Sequence, residues 1–146
     1  MRGIRDIEAR LQASATLPDT LAACFDAFEI VRHLARDCED RDPTLFAAFM
    51  STADAALDGR EAITVAPSLP PQGRSGTPAS VRTADASADQ VASALASLGA
   101  VLRGRLFDAA ACSAIAGDMV ACTTAAKAAS RVCQLMARSS DDRCPR

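Results

Sequence analysis

The sequence has no tryptophan or tyrosine, and its aromatic residues are five phenylalanines. Histidine and lysine occur once each, as His33 and Lys127. Each scarcity removes a class of function. With a net charge of −2 and no aromatics among its basic residues, the chain has no stripe that could neutralise phosphates or stack bases. Nucleic acid is therefore not an expected partner. One histidine cannot supply a ferritin-like di-metal site, which needs Glu-x-x-His on two helices and two further glutamates. Gly-Arg-Ser-Gly at 73–76 lacks the phosphate-loop pattern. No Cys-x-x-Cys or Cys-x-x-x-Cys occurs. There is no apolar run of membrane-spanning length, and the opening MRGIRDIEARLQ lacks the apolar core of a signal peptide. The expected location is the cytoplasm with no membrane partner, and there the six cysteines are read as free thiols.

What the chain does have is alanine, its commonest residue, with few β-branched residues: a helical composition. Its 146 residues suffice for one domain with a core of its own. Ile4, Ile7 and Leu11 repeat at helical spacing and predict a short helix over 4–14. Thr16 followed by Asp19, with Pro18 in the first turn, opens a long helix over 17–39. On it Leu21, Cys24, Phe25, Ala27, Phe28, Ile30, Val31, Leu34, Ala35 and Cys38 cover more than half the circumference, enough to meet two neighbours. Asp42-Pro43 reads as the cap and first turn of a helix reaching Thr64 or stopping at Gly59. Its expected inner face is Leu45, Phe46, Phe49, Met50, Ala53, Leu57 and Ile63, with Gly59 outside. A three-residue link would make these two helices an antiparallel hairpin.

The segment 67–84 is rich in Pro, Gly and Ser with almost nothing to bury, and is read as a crossover loop. Ser87 with Gln90 matches a capping box, and Val91, Leu95, Leu98 and Leu102 continue helically to about 103. Gly104 and Asp108 suggest a turn and a new cap. A last helix then spans 109–138, with Gly117 a weak point. The expectation is an all-α four-helix bundle of two hairpins joined by a long crossover, with a short N-terminal helix, in a single domain over 1–146.

Two constellations could carry chemistry. Cys122, Cys133 and Cys144 lie eleven residues apart and would form a column on one helix, with Cys112 a quarter-turn away. The same arc holds Ile115, Met119, Ala126, Ala129 and Met136, so these thiols are expected to point inward, as are Cys24 and Cys38. Thiolates facing inward could bind a soft metal such as Cu or Zn. Column neighbours are about 16 Å apart, however, so one ion would need cysteines from several helices. Free cysteine also packs as a small apolar residue, which is the preferred reading. Cys144, near the chain end, is the thiol expected to be most exposed and reactive.

Glu29 and His33 stand one turn apart on the polar face, with Asp26 and Asp37 beside them. They could act as a carboxylate-oriented imidazole at a small-molecule pocket, or be an ordinary surface pair. Nothing pairs a cysteine with the histidine, since Cys24 and His33 point to opposite sides of their helix. The favoured expectation is a non-enzymatic bundle, without a cofactor, that works as a homo-oligomer or with a protein partner. A cysteine-lined metal binder and a Glu29/His33 small-molecule binder are the alternatives.

Overall fold

A computed structural model describes residues 2–71 and 86–141. All regular structure among them is helical: α1 Arg2–Ala13, α2 Leu17–Cys38, α3 Phe46–Thr64, α4 Ala88–Cys112 and α5 Ala116–Asp141. The expected caps are made. The Thr16 side chain accepts from the Asp19 backbone at 3.3 Å at the start of α2. Ser87 and Gln90 exchange both bonds of a capping box at the start of α4.

Contacts between the helices set a cyclic order α2, α3, α5, α4. Arg36 reaching Asp54 and Glu29 reaching Arg60 make α2 and α3 antiparallel. Arg131 reaching Asp58, and Ser68 reaching Asp118, do the same for α3 and α5. The hairpin α4–α5 closes the ring, and Arg41 bonding the Ala86 carbonyl places the start of α4 beside the end of α2. The seam between α2 and α4 is the loosest. There α1 lies as a wedge: Ile4, Ile7 and Leu11 are buried, Arg10 pairs with Asp26 at 2.5 Å, and Ser97 bonds Glu8 at 3.1 Å. The leading helix thus completes the core, and buried residues from all five helices form one cluster.

Four boundaries or faces differ from the sequence reading. First, α4 runs through Gly104 and Asp108 to Cys112, and the hairpin turn falls at 113–115. Leu102, Leu106, Ala109 and Ala110 extend the buried stripe, which outweighs a helical glycine costing about 1 kcal/mol. Second, Asp42 does not cap α3. Its Oδ1 accepts from the Thr44 backbone N–H at 2.9 Å and from the Thr44 hydroxyl at 2.7 Å, closing a turn that precedes Leu45. The link between α2 and α3 is therefore seven residues, 39–45.

Third, the inner face of α3 is Phe49, Thr52, Ala53, Ala55, Ala56, Gly59 and Ile63, while Phe46 and Met50 are exposed. Small residues let α3 approach both α2 and α5, and Gly59 lies directly under the Phe28 ring. Fourth, the loop does not begin at Pro67. Ala66 and Leu69 are buried, and Asp118, itself fully buried, accepts from the Ser68 backbone at 3.0 Å and its hydroxyl at 2.6 Å. Gly117, expected as a weak point, sits in the first turn of α5 against Pro67. The rest of the expected crossover, from residue 72 on, lies outside the described residues.

Candidate functional site

Cys122 and Cys133 share α5 at the expected eleven-residue spacing, while Cys112 stands apart from them. The break at 113–115 puts Cys112 at the exposed end of α4, so it does not join the column of α5, and Ile115 and Met119 are exposed rather than inward. Cys122 is fully buried on α5 and Cys133 is half-buried beside Gly99. Cys144 lies outside the described residues. Cys24 and Cys38 are buried on α2 as expected.

Burial pushes the Cys24 thiol up to about 12; the nearby Cys122 adds to this and Arg105 opposes it. Burial and then Asp118 push Cys122 up to about 11. Burial also raises Cys38, with Arg41 opposing and Asp37 assisting. These three thiols are protonated at neutral pH and pack as small apolar groups. Among the described residues no group of three or more His, Cys, Asp or Glu could hold a metal ion.

Glu29 and His33 are brought together, but not as a plain surface pair. Glu29 is buried, because α3 lays Arg60 over it. The Arg60 guanidinium donates to Glu29 Oε1, Arg32 Nη2 donates to Oε2 at 3.4 Å, and His33 Nε2 stands 3.6 Å from the same Oε2. The Arg60 head also lies 5.7 Å from the Phe25 ring centre. Burial alone would raise the Glu29 carboxyl, but the Arg60 bond and the Arg32 charge hold it below its ordinary value. Asp26 turns instead to Arg10. A carboxylate held by two guanidiniums serves as a clasp between α2 and α3. Arg60 was invisible to the sequence reading because it lies thirty-one residues from Glu29.

Among the described residues, three of the surface clefts are lined by neither Glu29 nor His33. The one between the start of α2 and the end of α4 measures about 180 Å³ and holds Arg105. The remaining distinctive feature is apolar. Val65 at the end of α3 is 75% exposed and Val120 on the first turns of α5 is 68% exposed. Ile115 and Met119 beside Val120 are also open, and so is Phe107 near the end of α4. The Ser68–Asp118 bonds hold the end of α3 against the start of α5, so all five belong to one end of the bundle. Phe46 and Met50 form a smaller pair at the opposite end. No helix among the described residues is long and apolar enough to cross a membrane. Searches against protein-family models, curated proteins and solved structures gave no match, so the arrangement is read on its own chemistry.

Proposed function

We propose that this chain is a non-enzymatic interaction protein of the cytoplasm. In this reading it associates with a second copy of itself, or with a protein partner, through the bundle end formed by α3, α4 and α5. The observation that carries the reading is the gathering of Val65, Phe107, Ile115, Met119 and Val120 at that end. Single exposed apolar residues are ordinary on any surface, whereas several large ones together mark a contact site. The alternatives have less behind them. The inward thiols Cys24, Cys38 and Cys122 are held protonated, which opposes thiolate ligation. Both Glu29 oxygens are already engaged by arginine. The net charge of −2 gives no reason to expect nucleic acid.

The test is native mass spectrometry and light scattering on the reduced full chain, beside a Met119→Glu, Val120→Asp double variant. Both side chains are exposed, so the variant should keep its helical circular dichroism and its melting temperature. A dimer that becomes a monomer supports self-association. If the chain is monomeric at its highest soluble concentration, cross-linking in its own cell extract decides. Partners captured by the native chain and lost from the variant support docking. Identical capture by both would remove this end of the bundle from the argument.

A further inference from the structure

We infer that the cleft between the start of α2 and the end of α4 binds a small oxyanion, a short carboxylate or inorganic phosphate, through the guanidinium of Arg105. This is independent of the apolar end and its partner. The cleft is lined by Thr16, Leu17 and Thr20 on one side and by Arg105, Asp108 and Ser113 on the other. Arg105 is half-buried, and among the described residues no carboxylate pairs with it. The contrast within this protein is direct. The other half-buried arginines among the described residues, Arg32 and Arg60, both pair with the Glu29 carboxylate.

The contacts Arg105 does make are to neutral oxygens. Nη2 donates to the Ser14 carbonyl at 2.6 Å, to the Ser14 hydroxyl at 2.9 Å and to the Thr20 hydroxyl at 3.5 Å. These bonds hold Nη2 at the carbonyl end of α1, whose dipole offsets part of the charge, with no carboxylate in the set. Nε is buried with no acceptor, and Nη1 makes no bond among the described residues. All three bonds leave from Nη2 and Nε is buried, so the donor left for an oxyanion in the cleft is Nη1. Because Ser14 and Thr20 already hold it, little side-chain freedom remains to be lost on binding.

Two further features fit an anion. The positive end of the α2 dipole opens on the same cleft, at Thr16 and Leu17. The volume of about 180 Å³ is also slightly larger than the roughly 150 Å³ cavity that accepts benzene, which leaves room for a short carboxylate or a phosphate. Two carboxylates oppose binding: Asp19 in the first turn of α2 offsets its dipole, and Asp108 lines the cleft itself. The Asp108 carboxylate lines the cleft three residues after Arg105, without pairing to it, and would repel an incoming anion. That opposition supplies the decisive variant.

The experiment titrates the full-length, isotope-labelled chain with sodium acetate and, separately, sodium phosphate at constant ionic strength, with sodium chloride as control. The readout is the arginine side-chain N–H signals and the Leu17 amide. Saturable shifts with acetate or phosphate, absent with chloride, are expected, and the tighter of the two names the ligand class. Arg105→Gln should abolish them. Because that variant also loses the ties to Ser14 and Thr20, Asp108→Asn is read alongside it. Asp108 is exposed, so the fold should hold, and removing its repulsion should tighten binding about threefold. Shifts that are linear, or equal with chloride, would overturn the inference. So would an unchanged affinity in Asp108→Asn.

Discussion

Three glycine-to-alanine changes in helices should give opposite signs, because the added methyl meets different surroundings. At Gly99 on α4, the new Cβ would lie 2.9 Å from the Cys133 backbone nitrogen, 3.1 Å from Val132 Cγ1 and 3.2 Å from the Ala129 carbonyl oxygen. Two of those atoms are α5 backbone, so no rotamer change relieves the contact, and the two most extensively packed helices must separate. Overpacking of this kind costs about 1–3 kcal/mol. The gain in helix propensity returns about 1 kcal/mol. The net for Gly99→Ala is a loss of up to about 2 kcal/mol, or up to roughly 8 °C in melting temperature for a chain of this size.

At Gly59 the methyl would fall 2.4 Å from the ring of Phe28, a fully buried side chain with nowhere to turn, so Gly59→Ala should lose at least as much. At Gly104 nothing lies within 4 Å, and only the propensity gain of about 1 kcal/mol remains. Gly104→Ala should therefore melt about 2–4 °C higher. Thermal and urea unfolding followed by circular dichroism, under reductant, measure all three. If Gly99→Ala proved as stabilising as Gly104→Ala, the α4–α5 spacing described here would be wrong.

The remaining predictions concern charge and the leading helix. Glu29→Gln should leave Arg32 and Arg60 without an anion and lower stability by about 1–3 kcal/mol, read from the urea midpoint. Because the folded Glu29 carboxyl lies below its ordinary value of 4.5, its contribution is complete above that pH and fades as pH falls through the folded value. Glu29→Gln should accordingly flatten the acid limb of the stability curve, and an unaltered limb would count against the clasp. The thiols act at the other extreme. Cys24 and Cys122, raised from 9.0 to about 12 and about 11, favour the fold fully below pH 9 and lose that effect as pH climbs towards those values. A Cys24→Ala, Cys122→Ala double variant should be less stable at neutral pH yet show a shallower alkaline decline. Leu11→Ala, at a fully buried position of α1, should cost about 2–5 kcal/mol, whereas a value near zero would mean that α1 does not wedge the α2–α4 seam.

Much of the architecture is legible where a local signal and the burial pattern agree. Thr16 with Asp19 and Ser87 with Gln90 open helices in both the sequence and the structure. Where the two disagree, burial prevails. Gly104 and Asp108 look like a turn and a cap, yet Leu102, Leu106 and Ala109 give the helix a reason to continue. The true hairpin turn, 113–115, contains neither glycine nor proline. Its only mark is Ser113, whose hydroxyl accepts from the Ile115 backbone at 3.2 Å. The expected place of Cys112 beside the cysteine column depended on that missing turn. Once α4 ends at Cys112, this thiol and those of α5 no longer share one helix.

Phe49, Ala53 and Ile63 on α3 and Ala126, Ala129 and Met136 on α5 face inward as expected, but Phe46, Met50, Ile115 and Met119 do not, for a reason that bears on the site as well. Hydrophobic periodicity locates a core face only when apolar and polar residues differ in size and burial preference. Alanine is tolerated on either side, so an alanine-rich helix has a poorly determined phase. Phe46 and Met50, expected on the inner face, would hold α3 away from its neighbours there. The helix instead turns its small residues inward and exposes them. The phase is fixed by Gly59, the position where only a missing side chain admits the Phe28 ring. That contact sets the register of α3 on α2, and the register puts Arg60 over Glu29 one residue later. A carboxylate that reads as a surface residue thus becomes a buried clasp through packing thirty-one residues away. Glycines in such helices are therefore better guides to the buried face than the bulky residues. By the same logic Gly99, pressed against the α5 backbone, marks the inner face of α4, while Gly104, with open space around it, marks none.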